Sequence, residues 1–409
     1  MIPPDGGMGS GQNGGHNGAA GGGGYGSAAK RVLITGGAGF IGSHLTEGLV
    51  AAGHRVRVLD EVLPQAGAGA EPAAEVEVVT GDVRESKCLK EALQGVDVIF
   101  HLAATTRASQ SMYEISRAMS VNAQGTAELL QAMLENKVTP AKLIVASSMS
   151  IYGEGQYVCS VCSRPACPVV RPAAQLEEAR WEVHCADCGG VLLPRPTAET
   201  KHADVQSIYA LSKRTQEELF LIFGRTYGVP VTVLRLFNVY GPGQAIANPY
   251  SGVATQFAAR LLEDTAPLLF EDGEQMRDFV HVRDVVQACR LVMEHASANG
   301  EVINVGNGVP IRMRRVAELL AAALDKAIEP VVTQKFRAGD LRHCYADVSK
   351  ARRLLGYEPR VTHEQGLREL ATWMAEEHER ELEKGGAESE TGSRAVAALA
   401  PMDSLLPTG

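Results

Sequence analysis

Tyr209 and Lys213 stand four residues apart in Tyr-Ala-Leu-Ser-Lys, and on a helix that spacing points both side chains to one face. A phenol with a pKa near ~10 is a poor base at neutral pH, but a neighbouring ammonium favours the phenolate, which can take a proton from an alcohol. The pair alone is common on amphipathic helices, where it is only a solvated face. A hydroxyl partner adds weight: Ser147 and Ser148 end the apolar run Lys142 to Ala146, and at a strand's carboxyl end Ser148 can donate to the same substrate oxygen.

The glycines at 36, 39 and 42 lie where the apolar run Val32 to Thr35 gives way to the helical pattern beginning Phe40-Ile41. Glycine allows the tight turn and lets backbone N–H groups approach a pyrophosphate at the positive end of a helix, where a Cβ collides. Glycines also make ordinary turns, but the strand-turn-helix context points to a dinucleotide. The next strand, Arg55 to Leu59, ends in Asp60, whose carboxylate can accept from ribose hydroxyls and repels a 2′-phosphate. This favours NAD over NADP; the bland reading of Asp60 is a solvated strand-end acid.

Cys159 and Cys162 form one C-x-x-C knuckle and Cys185 and Cys188 another. Two such pairs suit tetrahedral thiolate zinc, and four thiolates leave no open coordination position, so the metal is expected to be structural. The alternatives are four free cysteines, or Cys167 or His184 replacing one ligand.

To position these groups the chain needs a parallel sheet. Short β-rich runs at Arg55 to Leu59, Glu75 to Val79, Val96 to Leu102, Lys142 to Ser148 and Val231 to Phe237 alternate with helical patterns, one from about Ser207 to Tyr227. The expected fold is α/β: a doubly wound parallel (Rossmann) sheet with a smaller α/β substrate lobe and an inserted zinc-ribbon-like subdomain. Residues 30–240 form the NAD domain, interrupted at 154–196 by the insertion; 241–380 form the substrate lobe, with parts returning to the NAD domain. Residues 1–29, rich in glycine, and 381–409 are expected to be flexible tails. With 48 acidic against 39 basic residues the formal charge is -9, which disfavours a nucleic-acid surface. No stretch has the ~20 apolar residues of a membrane helix and no basic-then-apolar leader opens the chain, which predicts a cytoplasmic protein.

The chain resembles the extended short-chain dehydrogenase/reductases, in their nucleotide-sugar epimerase and dehydratase branch. Besides the glycine turn and the Tyr209 and Lys213 pair, the resemblance rests on Gly81-Asp82-Val83, His101-Leu102-Ala103-Ala104, Val121-Asn122, Ser147 to Gly153 and Arg235 to Pro242. It continues through Arg277 to Asp284, Asn304 to Gly308 and Arg337 to His343. It implies that Ser148, Tyr209 and Lys213 are catalytic. NAD would meet Gly36, Gly39, Phe40, Ile41, Gly42 and Asp60, with Asp82 and Val83 at the adenine. Leu102, Ala103, Ala104, Asn122 and Phe237 would line the cofactor, and Lys213 would also hold the nicotinamide ribose. Asn238 would contact substrate, and Arg277, Arg337 and Arg342 would clamp the diphosphate of a nucleoside-diphosphate sugar; the bland alternative for each arginine is a surface ion pair.

Dehydratases of this branch carry an Asp-Glu pair directly after the hydroxyl residue. Here those positions hold Met149 and Ser150, which cannot serve as the acid and base of an elimination, so redox-neutral 4-epimerisation is expected. Within the branch, the insertion together with Gln110 to Ile115 and Ala247 to Gly252 is most similar to the dTDP-L-rhamnose 4-epimerase group. UDP-glucose or UDP-glucuronate 4-epimerase and a 4-ketosugar ketoreductase are the alternatives, and a non-catalytic NAD-binding zinc scaffold or sensor is the reading from another class. The resemblance also implies a homodimer through the helix bearing Tyr209 and the helix after Asn122.

Overall fold

Apolar runs without polar alternation give strands buried on both faces. Val32, Leu33 and Ile34, Val98, Ile99 and Phe100, and Leu143, Ile144 and Val145 are all fully buried. In a computed structural model that describes residues 28–61, 76–105, 111–244, 252–337 and 339–385, these runs form the centre of a seven-stranded sheet. From one edge its strands are Val302–Val305, Val231–Leu236, Lys142–Ser148, Val98–His101, Arg31–Thr35, Arg55–Asp60 and Val76–Thr80, all parallel. The Gly-rich segment 1–27, Gln110, Ala247 to Ser251 and the tail 386–409 lie outside the described residues.

Alternate side chains of each strand feed two cores. Val32, Ile34, Phe100, Ile144 and Leu234 meet Leu45 and Leu49 of helix Phe40–Ala51 and Val285 and Val292 of helix Val282–Glu294. On the other face, Leu33, Ile99, Leu143, Val145 and Val233 meet Leu89 of Ser86–Ala92, Leu129 and Met133 of Gly125–Glu135, and Phe220 and Phe223 of Ile208–Tyr227. This is the expected doubly wound arrangement. The chain leaves strand Arg31–Thr35 toward one edge and returns beside it as Val98–His101, so the order reverses between those two strands, and ligands of open α/β sheets lie at the carboxyl ends of such a reversal.

The smaller lobe has its own core, in which Tyr240, Phe257, Phe279, Leu320 and Leu370 pack together. Its sheet joins Asn238–Tyr240, Met276–His281, Pro310–Arg312 and His343–Cys344, while Val302–Val305 returns to the main sheet as expected. Asp278 ties the two: its fully buried carboxylate accepts from the N–H groups of Asn307 (2.7 Å), Gly308 (2.9 Å) and Ala346 (3.1 Å). Burial pushes it up to about 6 despite those donors. Helix His363–Gly385 runs through the tail boundary expected at 381.

Residues 154–196 leave the sheet after Ser148 and form a three-stranded antiparallel sheet of Pro165–Ala166, Gln156–Cys159 and Leu192–Arg195. Its buried apolar cluster is small: Tyr157, Cys159, Val183, Cys185 and Leu192. So little apolar area cannot offset the entropy of ordering the segment, and other ties must hold it.

Candidate active site

Helix Ile208–Tyr227 starts where Ser207 caps it, its Oγ accepting from the Ala210 N–H at 3.1 Å, and ends at Gly228 in the left-handed region. Its first turns deliver Tyr209 and Lys213 to the carboxyl end of Lys142–Ser148. Burial raises the Tyr209 phenol's pKa, and the nearby Ser148 hydroxyl opposes that rise. The Ser148 Oγ also accepts from the Ser150 N–H at 3.2 Å. Lys213 is 3% exposed, donates to the Ala146 carbonyl at 2.9 Å and is pushed by burial down to about 7. The three residues picked from sequence therefore share one site.

The glycine turn separates two duties. At Gly36, with φ +76°, a Cβ would lie 2.6 Å from the Ala103 nitrogen, and at Gly42 one would lie 2.2 Å from the Gly36 carbonyl, so the fold itself demands both glycines. At exposed Gly39 a Cβ would meet only that carbonyl, at 3.3 Å. Beyond that single contact the space is open, the cradle a pyrophosphate needs at the start of helix Phe40–Ala51. Asp60 reaches back to accept from the Ala38 N–H at 2.9 Å, which fixes the strand-end carboxylate beside the turn. These residues fit NAD.

Asn122 sits in a π-turn between two helical segments and is fully buried. It accepts from the Thr105 N–H (2.8 Å) and donates to the Thr105 carbonyl (3.1 Å) and Ser212 Oγ (2.8 Å), so it pins the loop after Leu102, Ala103 and Ala104 to the helix that bears Tyr209. Asp82 is engaged by Arg84, whose hydrogen bonds hold it down at about 2. Val83 and Phe237 are buried in the sheet's two cores. Asn238 Oδ1 is buried without a protein partner, the condition expected of a group that waits for a ligand.

Sequence reasoning missed the layer under the site. His101 lies between Thr35 Oγ1 (2.8 Å), Thr126 Oγ1 (2.9 Å) and Gln216 (3.2 Å), and burial with the nearby Lys213 charge pushes it down to about 3, so it is a neutral spacer. Glu217, on the helix that bears Tyr209, pairs with Arg235 and accepts from Ser147 Oγ at 3.0 Å; Arg235 in turn donates to Tyr152 at 2.9 Å. Glu217 lies four residues after Lys213 on the same helix face, the one available signal.

The arginines need a correction. Arg342 presents no guanidinium to a ligand: it is 1% exposed and pairs with Glu182, Glu271 and Asp272. A guanidinium buried that deeply must be neutralised by the protein itself. Arg277 donates to the carbonyls of Met276, Leu341 and Arg342 and to Asp340, so it holds that loop. Arg337 lies over the Phe270 ring at 4.2 Å.

The four knuckle cysteines converge, all their Sγ atoms lying within 4.8 Å of one another, with 3.4 Å from Cys159 to Cys188 and 3.9 Å from Cys162 to Cys185. Those separations exceed a disulfide's ~2 Å and are near the ~3.8 Å edge of a tetrahedron with ~2.3 Å Zn–S bonds. Backbone N–H groups of Cys162 and Val161 donate to Cys159 Sγ and draw its pKa down to about 6. Cys167 and His184 stand outside the cluster. Among the described residues no helix is long and apolar enough to cross a membrane.

The family described as the NAD dependent epimerase/dehydratase family matches residues 32–171 and 190–306. A dTDP-L-rhamnose 4-epimerase of Burkholderia thailandensis is 34% identical over 357 residues, 86% of this chain and 96% of that protein. Among solved structures, a UDP-glucose 4-epimerase of Thermotoga maritima with UDP-glucose superposes with TM-score 0.69 at 30% identity, covering 85% of this chain and 99% of that one. One of Thermus thermophilus in complex with NAD gives TM-score 0.65 at 29% identity, covering 84% and 98%. The fold agrees with these matches: the chain belongs to the NAD dependent epimerase/dehydratase family.

Proposed function

We propose that this protein is a nucleotide-sugar 4-epimerase, with dTDP-L-rhamnose as its substrate ahead of UDP-glucose and UDP-glucuronate. The observation that carries the reading is the meeting of Tyr209 and buried Lys213, one helical turn apart, with the strand end that bears Ser148, and Met149 and Ser150 where an elimination needs an acid and a base. NAD, when bound, supplies the oxidant that takes hydride from C4 and returns it. Tyr209 accepts the C4 hydroxyl proton while Ser148 orients that oxygen. Lys213 lends its charge to the phenolate, and because burial has brought its own pKa to about 7, a modest change in local charge shifts its proton. Asn238 offers its unpartnered Oδ1 to the sugar, and Arg337, beside the loop that Arg277 holds, borders the diphosphate. The 4-ketosugar turns about its phosphate linkage and is reduced on the opposite face, after which Tyr209 returns the proton.

The four thiolates hold a structural zinc, which supplies the tie that the insertion's small core lacks. The protein pairs with a second copy of itself through helices Gly125–Glu135 and Ile208–Tyr227, which carry exposed Leu134, Leu211, Ile222 and Tyr227. A proton NMR time course of purified protein without added NAD, run separately with dTDP-L-rhamnose, UDP-glucose and UDP-glucuronate, tests the activity through the H4 couplings. The expected result is conversion of dTDP-L-rhamnose to its C4 epimer. No conversion, with oxidation of added NADH by a 4-ketosugar, makes the protein a ketoreductase instead.

A further inference from the structure

Arg337 stands just before the segment 339–343, whose Asp340, Leu341 and Arg342 receive the hydrogen bonds of Arg277. The segment's other side is held by the insertion. Arg342 donates to Glu182 (2.6 and 3.1 Å), to Asp272 (2.6 and 2.8 Å) and to Glu271 (3.0 Å). Arg171, also buried, pairs with Glu271 at 2.7 Å and reaches the Asp340 carbonyl at 3.2 Å. Glu154 accepts from the backbone N–H groups of Arg342 (2.6 Å) and His343 (3.2 Å). The Trp181 ring lies 6.4 Å from that of Phe336, the neighbour of Arg337. Trp181 and Glu182 fall between the two stretches that the family matches.

We propose that Trp181 and Glu182 are positioning residues that set the Arg277 and Arg337 loop for the diphosphate of the substrate. This rests on the proposed function, since it is the nucleoside diphosphate that the loop reads. Guanidinium recognition of phosphate depends on placement, and a loop gripped by buried charge on one side and an aromatic contact on the other has few alternative positions. Glu182 can be tested without dismantling the cluster, because Asp272 and Glu271 remain on Arg342 when its charge is removed.

The experiment is calorimetric titration of NAD-loaded wild type, Glu182→Gln and Trp181→Ala with dTDP and with UDP, alongside steady-state kinetics. Both variants are expected to bind the diphosphate about tenfold more weakly and to raise KM by a similar factor, with kcat within about twofold and NAD content unchanged. Lower thermal stability with unchanged diphosphate affinity and KM makes the residues merely structural and overturns the proposal. If wild type binds neither dTDP nor UDP, the proposed function fails and the positioning role with it. If wild type binds and both variants bind equally well, only the positioning role fails.

Discussion

Lys213 and Arg342 are both buried cations, 3% and 1% exposed, and the protein treats them in opposite ways. Lys213 at the sheet edge meets a backbone carbonyl, and burial alone pushes its pKa down to about 7. Arg342, in the joint between insertion and smaller lobe, is met by three carboxylates that hold it charged. A cation left without a full counter-charge can respond to what binds beside it, whereas a neutralised one fixes geometry. The same contrast separates the two regions. The carboxyl edge of the main sheet, where the proposed catalytic residues stand, is carried by continuous apolar strands; the insertion has little core and spends its polar groups on holding itself in place.

The largest effect that would break this contrast belongs at the catalytic edge. Tyr209→Phe is expected to lower kcat about a thousandfold, ~4 kcal/mol, with NAD still bound, as read by NMR turnover and cofactor absorbance. Activity within about tenfold of wild type would remove Tyr209 from the proton transfer. The glycine turn sharpens the comparison from within. Gly36→Ala should cost ~2 kcal/mol or more in denaturant unfolding, since it forces a Cβ into Ala103 at a positive φ, whereas Gly39→Ala should leave stability within ~1 kcal/mol and weaken NAD binding about tenfold.

In the insertion, replacing Cys159 and Cys188 together by serine should remove one zinc per chain by elemental analysis. The environment of Trp181 should change in fluorescence, and the main sheet should keep its NAD. A full zinc count in that variant would end the thiolate assignment. The smallest effect is in pH. Burial raises the Glu182 carboxyl, but hydrogen bonds from His343 and Arg342 outweigh it and bring it to about 2, below its ordinary 4.5. A depressed carboxylate stabilises the fold above its unfolded pKa and loses that contribution as pH falls through the folded one. Wild type and Glu182→Gln should therefore differ in melting temperature at neutral pH and converge between about pH 4 and 2.

Much of this was legible in the chain. The five strands expected from apolar runs after the glycine turn are all present, Lys142–Ser148 with its expected bounds and the other four shifted at an end by a residue or two, and the helix bearing Tyr209 begins one residue after its expected start. Ser148, Tyr209 and Lys213 were readable because spacing on a helix and position at a strand end are local properties. The layer formed by His101, Gln216 and Glu217 was not, because only packing turns ordinary helix-face residues into a buried network. Arg342 was misassigned for a related reason: the motif around it fixes where the backbone goes, not which acid its guanidinium meets.

The sequence by itself determined the sheet, the turn that admits a dinucleotide and the residue types at the catalytic edge, since hydrophobic periodicity and glycine sterics act over a few neighbouring residues. Tertiary structure alone decided how charge is shared. Arg342 and Glu182 are separated by 160 residues and Arg171 and Glu271 by 100. A guanidinium binds phosphate and carboxylate through the same fork of donors, so its chemistry cannot say which it serves. Only the packing of the insertion against the smaller lobe, which brings four carboxylates around Arg171 and Arg342, makes that choice.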